Sequence, residues 1–247
     1  MPDVVVVTGG SRGIGAATAQ LFAQLGWSVC VGYREDAAAA QTVVADCSAA
    51  GVAAIAVAVD VAATDEIAAL FTAADSLGRL GALVNNAGLA PPPGRVDELT
   101  SARISRVFAV NVVGAFVCAG EALRRMSTRH GGAGGSIVNV SSGASRIGSP
   151  GEYVDYAASK GALDTMTLGL AREVADEGVR VNAVRPGLID TDIHVRGGQP
   201  DKLTRLTPTV PIGRPGRPEE VAETITWLCS AAASYVSGAL LDVAGAR

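Results

Sequence analysis

The stretch "DVVVVTGGSRGIGAATAQLFAQLG" (3–26) constrains the fold more than any other part of the chain. Four consecutive valines between Asp3 and Thr8 make a short β-branched run without polar alternation, the pattern of a strand covered on both faces. A glycine-rich turn follows. Residues 14–26 then carry apolar side chains at helical spacing and end on Gly26, which suits a left-handed helix stop. This order of run, turn and helix recurs along the chain. The patterning predicts strands at 3–8, 28–33, 53–60, 82–88, 136–142, 179–187 and 239–243, and helices at 14–26, 36–50, 64–77, 101–129, 152–176 and 218–231. Strands that alternate with helices pair in parallel through right-handed crossovers. The expected fold class is therefore α/β, one doubly wound domain spanning 1–247 with helices on both faces of a parallel sheet. The segment 188–217 breaks the alternation: it is rich in Pro and Gly and weakly periodic. It follows the carboxyl end of a strand, where such sheets bind ligands, and is expected to form a substrate lid.

With 49% hydrophobic and 18% charged residues, the 247-residue chain can bury a large core and does not have the composition of a disordered protein. A formal net charge of −4 argues against a nucleic-acid partner, which calls for a basic face. No apolar stretch is expected to reach the roughly 20 residues of a membrane span. The start "MPDVVVVTGG" does not read as a signal peptide, so a cytoplasmic location without a membrane partner is expected. Cys30, Cys47, Cys118 and Cys229 lie far apart and are expected to be reduced, small apolar residues. His130 and His194 have no partner at ligand spacing, and no metal site is expected.

In "TGGSRGIG" (8–15), Gly9, Gly13 and Gly15 allow a sharp turn and close approach to a pyrophosphate, with the free N–H groups of a helix start just beyond. The same glycines also suit a turn that packs helix on strand; their place after the first strand of a βαβ unit favours the phosphate cradle. Further on, "YAASK" sets Tyr156 and Lys160 at i and i+4 on a predicted helix, sharing one face. A free tyrosine has a pKa of about 10, and a nearby ammonium favours its phenolate. Reduction of a ketone by hydride needs a proton delivered to oxygen, and such a pair can supply it. In isolation, the pair is an ordinary feature of a helix surface.

Together "TGGSRGIG", "NNAG" (85–88), Asn111, Ser142, "YAASK" and "RPGLIDT" (185–191) resemble, in order and approximate spacing, the short-chain dehydrogenase/reductase family over almost the whole chain. "EYVDYAASKGALD" and "SGALLDVAG" are most similar to bacterial members labelled glucose-dehydrogenase-like or uncharacterised oxidoreductases. The resemblance implies a seven-stranded Rossmann sheet, a homotetramer, and NAD(H) or NADP(H) as cofactor. It implies a cofactor site of Gly9, Ser11, Arg12, Gly13, Ile14 and Gly15, with Asp60 on the adenine amino group beside Val61. Asn85, Ala87 and Gly88 would border the cofactor, Asn86 being mostly structural. Pro186, Gly187, Ile189 and Thr191 would meet its nicotinamide end, and Lys160 its ribose.

A carboxylate at the end of the second strand would bond the adenosine ribose and repel a 2′-phosphate. Here that slot is Tyr33, followed by Arg34, and Arg12 can point at the same corner. NADP(H) is therefore expected, with NAD(H) as the alternative because Glu35 and Asp36 dilute the positive charge. The implied catalytic set is Asn111, Ser142, Tyr156 and Lys160, with Asn111 holding a water beside the lysine. Ser142 stands fourteen residues before Tyr156, one more than is usual in the family, which leaves Ser141 as its alternative. Tyr153, seven residues from Lys160 and so roughly 10 Å along a helix axis, is too far to replace Tyr156. It is predicted to line the substrate pocket with Ser142 and Tyr156. His194 and Arg196 would meet an anionic group or solvent. The activities left open are a small-molecule carbonyl reductase or alcohol dehydrogenase, a 3-oxoacyl-carrier-protein reductase docking its acidic carrier through Arg129 and Arg172, and a sugar 1-dehydrogenase. A reading from another class, a non-catalytic cofactor sensor, has no need of the catalytic set.

Overall fold

The computed structural model describes residues 3–192 and 197–247; His194 and Arg196 lie outside the described residues. Seven strands, β1 (Asp3–Thr8), β2 (Ser28–Tyr33), β3 (Ala54–Ala58), β4 (Arg79–Asn85), β5 (Gly135–Val140), β6 (Val179–Pro186) and β7 (Leu240–Val243), form one sheet. It is parallel throughout, in the order β3-β2-β1-β4-β5-β6-β7. The valines of β1 show why the run has no polar alternation. Val4 and Val6 face one core, Val5 and Val7 the other, and all four are fully buried.

On one face lie α1 (Gly13–Gln24), α2 (Ala37–Ala49) and the helix Pro218–Cys229, whose Phe22, Val43, Val221, Ile225 and Leu228 fill one core. The other face is covered by α3 (Thr64–Asp75), α4 (Ser101–Phe108), α5 (Gly114–Met126) and a helix over Val154–Glu173. Their side chains Ile67, Phe71, Cys118, Met126 and Leu163 fill the second core. The short α6 (Ala144–Ile147) precedes that last helix, α7, and α8 (Lys202–Leu206) precedes α9, the helix over Pro218–Cys229.

Four expectations are corrected. β4 starts at Arg79 and stops at Asn85, so Asn86, Ala87 and Gly88 belong to the loop after it. The predicted helix 101–129 is two α-helices joined by a π turn over Ala109–Val113. Residues 101–126 are long and apolar enough to span a membrane by length and composition, contrary to the estimate from sequence. In the fold, however, this run puts Val107, Cys118, Ala119, Ala122 and Met126 into the core of the sheet. Finally, 188–217 is not wholly irregular. It contains α8 and a 3-10 turn at Thr207–Thr209, and its two ends meet where Asp190 N–H donates to the Gly216 carbonyl at 2.8 Å.

The order of the strands positions the site. From β1 the chain runs outward through β2 to β3, then returns to β4 on the other side of β1, opening a crevice at the carboxyl ends of β1 and β4. Gly9 and Ala87 close its floor: a Cβ on Gly9 would lie 2.9 Å from the Ala87 Cα, and Gly9 also has φ +62°.

Candidate active site

A cavity of about 640 Å³ opens along this crevice, running from the glycine turn to the loop after β5 and on to α8. Of the sequence-predicted residues, Gly9, Ser11, Arg12, Gly13, Ile14, Arg34, Asp60, Val61, Ala87, Gly88, Ser142, Tyr153, Tyr156, Lys160, Pro186, Gly187, Ile189 and Thr191 all line it. Three do not. Gly15 lies beneath the turn, where a Cβ would overlap the Gly9 carbonyl, so its task is to bring α1 against the loop. Asn85 turns into the core instead, donating to the Ala115 carbonyl at 3.2 Å and to Asn139 Oδ1 at 3.0 Å. Asn111 is buried behind Gly88 and Lys160. Asn86, expected to be structural, clamps the turn by donating from Nδ2 to the Thr8 and Gly9 carbonyls, each at 2.9 Å.

The start of α7 is held from two sides. Asp155, in its first turn, accepts from the Tyr156 N–H at 2.9 Å and from Arg103 Nε of α4 at 2.8 Å. A carboxylate there also complements the positive end of the helix. One turn later Lys160, 3% exposed, donates from Nζ to the Val140 carbonyl at 2.7 Å and stands 5.7 Å from the centre of the Tyr156 ring. Burial lowers the Lys160 pKa to about 8, against the opposing pull of Asp164. Burial raises the Tyr156 phenol, and its hydrogen bond with Ser142 pulls the other way. The phenol is thus not depressed, as the lysine was expected to make it: desolvation outweighs the hydrogen bond with Ser142.

The two serines after β5 separate. Ser141 Oγ donates into α7, to the Lys160 carbonyl at 3.2 Å, while Ser142 reaches Tyr156 and accepts from the Ala144 N–H at 3.1 Å. Asn111 sits in the π turn. Its Oδ1 accepts from Leu89 N–H at 2.7 Å, and its Nδ2 donates to the Leu89 carbonyl at 3.1 Å and to Ser159 Oγ at 2.9 Å. Ser159 in turn donates to the Tyr156 carbonyl at 2.7 Å. A single amide therefore ties the loop after β4 to the helix that carries Tyr156.

The far end of the cavity is built otherwise. Tyr33 ends β2, and Arg34 pairs with Glu35. Arg12 donates to Asp36 at 3.1 Å and to Asp192 at 3.0 Å, so both arginines expected to be available for a phosphate have carboxylate partners. Asp60 is partly desolvated, yet the Ala62 N–H at 3.0 Å and Arg106 at 2.7 Å hold its carboxyl below the ordinary range. Several cavity residues escaped sequence reasoning, among them Glu152, Lys202, Leu206 and Arg247. Lys202, on α8, donates from Nζ to the Tyr153 hydroxyl at 2.7 Å and lies 4.3 Å from that ring's centre. A lone lysine in a weakly periodic stretch carries no signal of such a contact.

A glycine turn at the switch point of a doubly wound sheet, with a tyrosine and a buried lysine on one wall, defines a nucleotide-binding oxidoreductase. The family described as enoyl-(acyl carrier protein) reductase matches residues 9–245. An uncharacterized oxidoreductase, YgfF, of Escherichia coli K12 is 51% identical over 99% of each chain. The cis-4-hydroxycyclohexanecarboxylate dehydrogenase of Sinomonas cyclohexanicum is 43% identical over 98% of this chain and 95% of its own. The crystal structure of a 3-ketoacyl-(acyl-carrier-protein) reductase from Brucella melitensis complexed with NADH superposes with a TM-score of 0.91 at 30% identity, covering 99% of this chain and 98% of that one. The chain belongs to the short-chain dehydrogenase/reductase family, oxidoreductases of alcohol and ketone groups.

Proposed function

We propose that this protein is an NADP(H)-dependent dehydrogenase/reductase that interconverts a ketone or aldehyde and an alcohol, working as a cytoplasmic homotetramer on a small-molecule substrate. The observation that carries the reading is the meeting of Ser142, Tyr156 and Lys160 on the wall of a cavity whose other end is the glycine turn. The residues fit a dinucleotide: Gly9 and Gly13, at φ +62° and +52°, leave a concave backbone without side chains at the start of α1. Ser11, Ile14 and Thr191 flank it, Asp60 and Val61 border the adenine side, and Gly88, Pro186 and Ile189 the opposite end. Bound there, a nicotinamide supplies or accepts the hydride.

The chain's own residues manage the proton. Ser142 orients the substrate oxygen toward the Tyr156 hydroxyl, which donates the proton in reduction and accepts it in oxidation. Lys160 holds positive charge one helical turn away and favours the phenolate left behind. Asn111 positions α7 through Ser159, and by the family resemblance it holds the water that continues the relay beyond the lysine. The preference for NADP(H) is supported by Tyr33 in the slot at the end of β2 where a carboxylate would repel a 2′-phosphate, and by Arg12 and Arg34 beside it; Glu35 lines the same corner and weakens that support. Their ion pairs are exposed (Arg12 and Asp36 are 32% and 42% accessible) and are cheaply exchanged for pairs with a phosphate. On α5 and α7, Phe116 and Leu168 are exposed and available to an interface between copies.

A panel of carbonyls and alcohols, followed by NADPH absorbance, tests the reading. It includes cis-4-hydroxycyclohexanecarboxylate, glucose and a 3-oxoacyl thioester, so that the sugar dehydrogenase and the carrier-protein reductase are judged in the same experiment. Turnover with none of them, or equal turnover by Tyr156→Phe, overturns it. The second outcome would leave the cofactor-sensing protein as the better description.

A further inference from the structure

Beyond Tyr156 the cavity continues to a corner where cations outnumber acids. Tyr153 packs edge-on to Tyr156 with ring centres 6.4 Å apart, and Lys202 Nζ stands over the Tyr153 ring, 4.3 Å from its centre. Lys202 Nζ donates to the neutral Tyr153 phenol and, among the described residues, makes no ion pair. The charged groups facing it are Glu152, Arg205 and Arg247: burial disfavours its charge, Glu152 favours it, the two arginines oppose it, and the net effect is a lowered pKa. Glu152, the acidic side chain of this corner, is shared: it lies 3.3 Å from Arg205 and is hydrogen-bonded to Tyr153. Lys202, Glu152, Tyr153 and Arg247 all line the cavity. A half-buried ammonium that hydrogen-bonds only to a phenol, with its one acidic neighbour shared with Arg205, is under-compensated, and a carboxylate supplies what it lacks.

We propose that Lys202 is a specificity-determining residue that binds a carboxylate on the substrate, several bonds from the carbon that reacts beside Tyr156. The substrate class is then an oxo acid, or the matching hydroxy acid, with its two functions well separated; an α-hydroxy acid cannot span the Tyr153 ring. The inference rests on reading the cavity as an alcohol and carbonyl site, and deepens it. Tyr153 acts here as a positioning residue: its hydroxyl holds the ammonium over the pocket.

Two measurements test it separately from turnover. The first compares kcat/KM for 4-oxopentanoate and its methyl ester in wild type, Lys202→Met and Lys202→Arg. The acid-to-ester ratio should fall about tenfold or more in Lys202→Met and recover largely in Lys202→Arg. A merely structural role for Lys202 would lower both substrates alike and leave the ratio unmoved, which overturns the proposal. The second titrates hexanoate and hexanamide into the NADPH-loaded protein by calorimetry. Wild type should bind hexanoate about tenfold more tightly than the amide, and Lys202→Met should erase the difference; equal affinities in wild type overturn the proposal. If hexanoate binds through Lys202 but no carbonyl is reduced, the anion site stands and the oxidoreductase reading fails. If both carbonyls are reduced with an unchanged ratio, the opposite holds.

Discussion

The two ends of the cavity are made of the same kinds of groups under opposite conditions. Around Tyr156, the polar residues Asn111, Ser141, Ser159 and Lys160 are all buried, and each has a hydrogen-bond partner in contacts that tie the π turn, the loop after β4, the end of β5 and the loop beyond it to α7. Around Tyr33, the residues Arg12, Arg34, Glu35, Asp36 and Asp192 are solvated and joined by ion pairs of the surface type. Buried polar networks are costly to leave half-made, whereas exposed ion pairs contribute about 0–1 kcal/mol. The difference teaches where this protein can change. The proton-handling end is fixed by the core around it, and the adenosine end can be rewritten one residue at a time.

That contrast can be broken hardest at Tyr156. Tyr156→Phe should cost about 10²–10⁴-fold in kcat with the fold intact, measured by NADPH absorbance beside far-UV circular dichroism. Asn111→Ala comes next. It strips partners from Leu89 and Ser159 inside the core, and should cost about 1–3 kcal/mol in urea unfolding together with roughly 10-fold or more in kcat. A loss of activity without loss of stability would show that the network is not the support described here.

At the open end, Tyr33→Asp puts a carboxylate at the close of β2. It should lower kcat/KM with NADPH about tenfold relative to NADH and leave unfolding within about 0.5 kcal/mol of wild type. A large loss of stability there would erase the distinction between the two ends.

A last test sharpens it through pH. Lys160 titrates near 8 in the folded chain and at about 10.5 when unfolded, so between those values the unfolded chain binds more protons. Its contribution to stability therefore rises with pH across that window, by on the order of 1–3 kcal/mol. Wild type measured against Lys160→Met in urea titrations from pH 7.5 to 9.5 should gain stability; a flat difference would mean that the lysine is not desolvated.

What the sequence disclosed follows the same division. β1 and β2 have their predicted ends because their β-branched runs stop at glycine or at Arg34, and TGGSRGIG and YAASK lie on consecutive residues that local patterning can read. β4 ends three residues before the predicted 88 because the turn formers Asn86 and Gly88 take over there, Asn86 spending its amide on the Thr8 and Gly9 carbonyls. Asn85 and Asn86 were adjacent and chemically alike, so only the pleat of the strand distinguishes the one in the core from the one on the turn. Pairings such as Arg12 with Asp192 or Lys202 with Tyr153 join residues far apart in the chain. No periodicity encodes them.

The π turn at Ala109–Val113 has a consequence for how this helix can vary. An α-helix advances about 100° per residue, so one surplus residue offsets the phase of all that follows by about that angle. The offset presents Gly114 to the Val61 backbone, where a Cβ would lie 2.6 Å from the carbonyl oxygen, while α4 keeps Arg103 and Arg106 aimed at Asp155 and Asp60. Deleting one residue from 109–113 would regularise the local hydrogen bonding and produce a better isolated helix. It would also rotate one half against the other, and the chain would exchange a small local irregularity for two helical faces that no longer agree about where the sheet is.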